Sequence, residues 1–92
     1  MSDSKTFKGV STSTWECVKK TSLKEHGTIY APTGANKGTA KTSTIVGDVV
    51  LDFDFNSTEE SVAYTIVKKP LLAPKSEIWS GIQDTINGCL GS

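Results

Sequence analysis

The chain contains no arginine, and this absence narrows the classes of partner that it can recognise. All ten of its basic residues are lysines. Guanidinium groups make the bidentate contacts that read guanine and hold phosphate groups, whereas a lysine ammonium acts only as a point charge. We therefore expect no specific binding to DNA.

Metal ligands and cofactor-binding motifs are scarce as well. His26 is the only histidine, and Cys17 and Cys89 are the only cysteines. These residues lack the number and spacing of ligands that a tetrahedral zinc site requires. The glycine-rich segment 34–42 also misses the phosphate-loop pattern, because three residues separate Gly34 from Gly38 where that pattern has four. The sequence predicts neither a metal site nor a cofactor.

Long apolar runs are missing too. A bilayer-spanning helix needs about 20 mostly apolar residues, and the apolar stretches of this chain are far shorter. Residues 1–8 do not have the pattern of a signal peptide. We expect no membrane association and a cytoplasmic location by default, or a secreted protein if a signal peptide has been removed.

The length of the chain predicts one small domain over residues 1–92. A chain of this size buries roughly 60 to 65% of its unfolded surface, which allows one modest core. Residues 1–46 carry a net charge of about +4 and residues 47–92 about −4, so the whole chain is neutral. This asymmetry can steer a partner or favour self-association, or the halves can neutralise each other within the fold. Residues 1–10 are predicted to be a flexible lead-in.

The clearest positive signal is a period-two alternation of apolar and polar residues between Gly47 and Lys69. Such alternation is typical of strands with one buried face, and a turn at residues 56–59 makes them a hairpin. The predicted buried face consists of Val49, Leu51, Phe53, Phe55, Val62, Tyr64 and Ile66. The opposite face is predicted to hold Asp48, Asp52, Asp54, Ala63, Thr65 and Lys69. That mixture indicates a solvated sheet exterior and not a pair of catalytic carboxylates.

Further strands are predicted upstream of this hairpin. A short strand covers Gly27–Tyr30, a loop rich in proline and glycine covers residues 31–38, and a threonine-rich strand covers Thr39–Val46. Gly47-Asp48 is predicted to make the tight turn into the hairpin. The prolines that follow the hairpin then take the chain out of the sheet.

Two helices complete the prediction. Ser13 and Glu16 match a capping box and Gly27 a C-terminal cap, which favours a helix over Thr14–His26, although the same residues also alternate as a strand. A second helix is predicted near Pro74–Cys89, with Asn87-Gly88 as its stop signal. Its apolar stripe, in which Trp79 is expected to be central, consists of Ile78, Trp79, Ile82, Ile86 and Cys89.

These elements predict an α+β fold. It consists of an antiparallel β-meander of three to four strands, with the C-terminal helix packed on one face and a second helix near the N-terminus. The sheet has one apolar face and the helix has one apolar stripe, so each must cover the other.

The two cysteines leave several arrangements open. A disulfide between Cys17 and Cys89 would close a loop of more than 70 residues and tie the first helix to the last. Either cysteine can instead be a catalytic thiol or a small buried apolar residue. His26 lies nine residues after Cys17, which on a straight helix is about 13 Å of rise and excludes a direct hydrogen bond between them.

The leading hypothesis for function is a non-enzymatic binding or protein-interaction module, either inhibitor-like or an assembly component. Its partner would be another protein or a second copy of the chain. Glycine-rich loops on a rigid sheet are common recognition surfaces, so the loop before the third strand is the predicted contact. The candidate binding residues there are Tyr30, Asn36, Lys37 and Lys41.

Two alternatives belong to other classes of protein. The first is a small thiol-dependent enzyme that uses Cys17 or Cys89 as its nucleophile. The second is a small-ligand carrier with a pocket between sheet and helix, for which Trp15, Tyr64 and Trp79 are the predicted lining residues. Ordered aromatic packing without a void would count against a carrier.

Overall fold

A computed structural model describes residues 3–90 as one five-stranded sheet with two helices. In chain order the elements are β1 (Ser4–Lys8), α1 (Thr12–His26), β2 (Ile29–Ala31), β3 (Lys37–Thr44), β4 (Gly47–Asn56), β5 (Ser61–Lys68) and α2 (Lys75–Cys89). The strands lie in the order β1-β5-β4-β3-β2, and every neighbouring pair is antiparallel. The predicted α+β fold is confirmed, with five strands in place of three or four.

The extra strand is β1, and it corrects the prediction of a flexible lead-in over residues 1–10. Ser4–Lys8 pairs with β5 at the edge of the sheet, where Phe7 lies opposite Val62 and is buried. Only alternate residues of a strand face the core, and in this five-residue edge strand Phe7 is the one buried residue. A single apolar residue is too weak a pattern to identify a strand from the sequence. The first two residues of the predicted lead-in lie outside the described residues.

The hairpin of β4 and β5 matches the predicted alternation. Its inward side chains are buried, except that Val49 is only partly covered, and they are Leu51, Phe53, Phe55, Val62, Tyr64 and Ile66. The Asn56 side chain accepts a hydrogen bond of 3.0 Å from the backbone N–H of Glu59, which stabilises the turn between the strands. The predicted buried face is therefore confirmed.

The turn between β3 and β4 differs from the prediction. β3 ends at Thr44, and the turn consists of Ile45 and Val46, whereas the sequence predicts it at Gly47-Asp48. The Thr44 hydroxyl donates to the Gly47 carbonyl at 2.6 Å and accepts from the Val46 backbone N–H at 3.2 Å. These hydrogen bonds stabilise the turn and leave the Ile45 and Val46 side chains exposed to solvent. The sequence predicts both residues in a strand, because aliphatic β-branched residues favour strands.

Helix α1 confirms the helical interpretation of its segment over the strand alternative. It begins two residues earlier than predicted, because the Ser11 side chain and not Ser13 caps it by accepting from the Thr14 backbone N–H at 3.2 Å. At the other end Gly27 has φ 68°, and its N–H bonds to the Leu23 carbonyl. Glycine adopts this left-handed conformation without strain, as the predicted C-terminal cap requires.

Helix α2 covers Lys75–Cys89, which confirms the helix predicted near Pro74–Cys89. The prediction that Trp79 is central to the core was wrong: Trp79 is only partly buried and packs at the edge against Phe7, with ring centroids 6.2 Å apart. Trp15 of α1 is the buried tryptophan, and its ring stacks on Phe55 at 5.2 Å. The sequence shows both tryptophans on apolar stripes, but only the tertiary fold decides which stripe lies over the middle of the sheet.

Both helices cover the same face of the sheet, and the opposite face is exposed. Asp52 and Asp54 are exposed there, and two lysines of β3 lie beside acidic residues of β4: Lys41 beside Asp48 at 3.6 Å and Lys37 beside Asp54 at 3.9 Å. The predicted solvated exterior is therefore confirmed. Within residues 3–90, no helix is long and apolar enough to cross a membrane.

Candidate functional site

A cavity of about 250 Å³ lies between the sheet and the two helices. Three segments enclose it: the second half of α1, the first two-thirds of α2, and the sheet from β2 to β5. Its lining residues are Val18, Ser22, His26, Thr28, Tyr30, Ala40, Thr42, Val49, Leu51, Tyr64, Glu77, Ile78, Gly81, Ile82 and Thr85. A void of this kind is what the carrier hypothesis requires.

Small residues on facing elements create this space. Ala40 occupies the sheet position between Tyr30 on β2 and Leu51 on β4, where a larger side chain would fill the layer. On the helix side, a Cβ atom added at Gly81 would meet no described atom within 4 Å. Ala40 therefore leaves space in the sheet layer, and Gly81 leaves space at the exposed side of the cavity.

A disulfide joins the two helices that line this cavity. Cys17 of α1 and Cys89 of α2 are bonded, with Cα atoms 5.7 Å apart. The Thr21 hydroxyl lies 3.7 Å from the Cys17 sulfur and 3.6 Å from the Cys89 sulfur. Of the arrangements that the sequence left open, the structure contains the disulfide, and residues 3–90 include no free cysteine.

The disulfide joins the first half of α1 to the last turn of α2, and the cavity extends from Val18, next to Cys17, to His26 at the end of α1. Cys17 precedes His26 by nine residues, which corresponds to about 13 Å along α1. Ser22 and His26 of α1 line the cavity together with Gly81 of α2, whereas Cys17 meets the last turn of α2. The covalent link therefore fixes the two helices to each other beside the cavity.

Two tyrosines form the polar part of the cavity wall. The hydroxyls of Tyr30 and Tyr64 are 2.9 Å apart, although their strands β2 and β5 are separated by two others, a distance of about 14 Å. Burial raises the pKa of Tyr64 well above its ordinary value. Burial also raises the pKa of Tyr30, against hydrogen bonds from Tyr64 and Ser22 that lower it. Both phenols are therefore protonated, neutral hydrogen-bonding groups at physiological pH.

A second pair of hydroxyls lies in the same wall. Thr28 and Thr42 are cross-strand neighbours whose hydroxyl oxygens are 2.6 Å apart. The charged lining residues are His26 and Glu77, whose side chains are exposed at the rim. No lysine lines the described cavity. Its interior is thus aliphatic and aromatic, with neutral hydroxyl groups as its polar atoms.

The four candidate binding residues do not come together in the structure. Tyr30 lines the cavity, while Asn36 is exposed in the loop before β3, where its carbonyl accepts from the Phe55 backbone N–H at 2.7 Å. Lys37 and Lys41 point to the opposite face of the sheet, because side chains alternate along β3 and Ala40 points inward. The structure therefore places only Tyr30 at the cavity.

Of the three lining residues predicted for a carrier, the structure places one at the cavity. Tyr64 lines the cavity, but Trp15 fills the layer beside it and Trp79 packs against Phe7. Sequence reasoning missed Ala40, Thr42 and the α2 residues around Gly81. Alternation along Thr39–Val46 was the available signal, because it places Ala40 and Thr42 on one face of a strand.

Four exposed aliphatic side chains lie at one end of the molecule, and we call them the apolar end: Ile45, Val46, Leu71 and Leu72. The β3–β4 turn and the loop before α2 meet there, since a Cβ atom added at Gly47 would lie 3.3 Å from the Pro70 ring. Contiguous exposed apolar side chains often mark interaction sites.

Comparisons of the chain with protein-family models, with curated proteins and with solved structures found no match. Within the described residues, no group of three or more histidine, cysteine, aspartate and glutamate side chains is placed to hold a metal ion. The cavity, the disulfide and the apolar end are therefore the features from which function can be argued.

Proposed function

We propose that this domain is a non-enzymatic binding module that carries a small, mostly apolar ligand between its sheet and its helices. The observation that supports this function best is the cavity, whose aliphatic and aromatic walls hold a few converging polar groups. Such walls are typical of small-molecule sites. A cavity of 150 Å³ holds benzene, so by proportion about 250 Å³ accommodates a ligand of roughly ten non-hydrogen atoms.

The disulfide argues against the thiol-dependent enzyme. A thiolate is the nucleophile in such enzymes, and a bonded sulfur has no thiolate to offer. Cys17 and Cys89 are bonded to each other, and neither lines the cavity. The carrier and the interaction module therefore remain as the two functions that specific features of the molecule support.

The disulfide also favours the secreted alternative over a cytoplasmic location. Structural disulfides persist in oxidising compartments and are rare where thiols are kept reduced. A domain with a core this small gains much from a covalent link between its first and last helices. We therefore propose that the protein works outside the reducing cytoplasm.

Titration with the bicyclic phenol 2-naphthol tests the carrier function. Gly81→Leu adds a bulky side chain at the exposed side of the cavity, and Gly88→Leu is its matched control. Both glycines are exposed in α2 with no described atom near an added Cβ, but Gly81 lines the cavity and Gly88 lines only an adjoining pocket between the two helices. We expect calorimetry to detect binding to the wild type and to Gly88→Leu, and to find it lost or at least tenfold weaker in Gly81→Leu.

Two outcomes would contradict a carrier. One is no detectable binding of 2-naphthol, and the other is equal binding to the two glycine variants when thermal unfolding shows both to be folded. The second outcome would place the probe elsewhere on the surface. Native mass spectrometry of the purified protein adds a direct check, because a carrier is expected to retain a bound small molecule.

Protein interaction through the apolar end is a second candidate function. Leu71 and Leu72 are almost fully exposed in one loop, and Ile45 and Val46 lie in the adjoining turn. We expect the wild type to self-associate through these side chains at high concentration, and Leu71→Ser/Leu72→Ser to remain monomeric. Sedimentation velocity measures the difference, and a wild type that stays monomeric throughout would count against self-association.

A further inference from the structure

From the placement of polar groups in the cavity, we infer that it selects a neutral ligand with one hydrogen-bonding oxygen, which meets the hydroxyl pair of Tyr30 and Tyr64. Phenols, alcohols and ketones of roughly bicyclic size have this chemistry. The inference rests on the proposed carrier function and adds the class of ligand.

The distribution of charge excludes ionised ligands from the deep part of the cavity. His26 and Glu77 are the only ionisable acid and base that line it apart from the tyrosines, and both are exposed at the rim. A carboxylate or an ammonium group buried without a partner of opposite charge is strongly unfavourable. A ligand that enters fully is therefore neutral.

The tyrosine pair retains hydrogen-bonding capacity for such a ligand. Two hydroxyl groups carry two protons, and the contact of 2.9 Å between Tyr30 and Tyr64 uses one of them. A second proton and several lone pairs remain for the Ser22 side chain and for a ligand oxygen in the same space. The pair can thus donate to a carbonyl or accept from a hydroxyl group.

Aromatic neighbours hold both rings in place before a ligand arrives. Tyr30 meets Trp15 edge-to-face at 5.5 Å and Phe53 at 5.2 Å, while Tyr64 meets Phe7 at 6.1 Å. A polar group that is already fixed loses little conformational entropy when it binds. This rigidity favours a directional contact at the tyrosine pair over a loosely oriented one.

Three related probes separate the ligand class from the carrier function. Calorimetry on the full, disulfide-bonded chain compares 2-naphthol with naphthalene, which lacks the oxygen, and with 2-naphthoate, which is charged. We expect 2-naphthol to bind about five- to tenfold more tightly than naphthalene, the typical gain from one hydrogen bond. We expect 2-naphthoate to bind at least tenfold more weakly than 2-naphthol.

Variants of the hydroxyl groups test the assigned contact. Tyr30→Phe and Tyr64→Phe are expected to reduce the affinity for 2-naphthol to that for naphthalene and to leave naphthalene binding unchanged. Thr65→Val, which removes an exposed hydroxyl from the opposite face of β5, away from the cavity, is the matched control and is expected to keep the preference. Tyr30 is the less buried tyrosine, so Tyr30→Phe decides the matter if Tyr64→Phe unfolds.

The outcomes distinguish the two levels of the proposal. If naphthalene binds as tightly as 2-naphthol or more tightly, the inference is wrong, because the ligand hydroxyl then gains no hydrogen bond in the cavity. The carrier function is not affected by that result, since the cavity still binds a small molecule. A preference for 2-naphthol that both tyrosine variants keep also overturns the inference. No binding of any of the three probes overturns the carrier function and the inference together.

Discussion

The layer between sheet and helices is packed solidly at one end and open at the other, although the same strands and helices form both. Along the inward face of β4, Phe53 and Phe55 lie against Trp15, with ring centroids 5.4 and 5.2 Å apart. Val49 and Leu51 of the same face line the cavity. The comparison teaches that one small core combines tightly packed aromatic rings, which stabilise the fold, with an open space in which we propose that a ligand binds.

The largest expected effect comes from emptying the packed end. Trp15→Ala should lower the free energy of unfolding by about 3 to 5 kcal/mol, because Trp15 is fully buried among aromatic rings. Ile82→Ala, at the open end and only partly buried, should cost about 1 kcal/mol. Urea unfolding measures both, and similar losses at the two positions would contradict the difference between the ends.

Removing the disulfide should have the next largest effect. The bond joins residues 72 positions apart, which in the chain-entropy model is worth roughly 4 kcal/mol. The free energy of unfolding of Cys17→Ser/Cys89→Ser should be lower than that of the wild type by roughly 4 kcal/mol, and reduction of the wild type should lower it by a similar amount. Equal urea midpoints for the reduced and the oxidised protein would show that the disulfide does not stabilise the domain.

The tyrosine pair lies at the boundary between the two ends, and its titration reports on burial there. An unfolded tyrosine releases its proton near pH 10, whereas burial raises the folded pKa of both Tyr30 and Tyr64. Above pH 10 the unfolded state therefore binds fewer protons than the native state, and stability falls as the pH rises. Below pH 10 this contribution is fully present.

Each tyrosine should lower the free energy of unfolding by about 1.4 kcal/mol per pH unit between its unfolded and folded pKa values. The chain has two tyrosines, so tyrosinate absorbance follows this pair alone. We expect the native protein to ionise at higher pH than the urea-unfolded protein, and Tyr30→Phe/Tyr64→Phe to have a shallower loss of stability. Coincident native and unfolded titration curves would show the pair to be solvated.

The smallest expected effect distinguishes the glycines of α2. Gly81→Ala and Gly88→Ala should each stabilise the protein by about 0.5 to 1 kcal/mol, since both lie within a helix with space for a methyl group. Thermal unfolding measures this gain. A loss of stability in Gly81→Ala alone would mean that the open end is more tightly packed than the cavity implies.

The buried face of the sheet was predictable from the sequence, whereas the cavity above it was not. The alternation of apolar and polar residues from Val49 to Ile66 identifies the buried face, because successive side chains of a strand point to opposite faces of the sheet. The cavity depends instead on Tyr30, Ala40 and Tyr64, which the sequence separates and only strand order brings together. Strand β1 was not predicted because Phe7 is its one buried residue. The β3–β4 turn was misplaced because a hydrogen bond from the Thr44 hydroxyl stabilises a turn at two exposed aliphatic residues, Ile45 and Val46.

The position of a bound probe is the most direct test of a binding cavity at the open end. Intermolecular nuclear Overhauser effects between 2-naphthol and protein methyl groups locate the probe without any substitution. We predict contacts with methyl groups of Val18, Leu51 and Ile82, which line the cavity. Contacts confined to Leu71 and Leu72 at the apolar end would contradict the account and place binding on the surface.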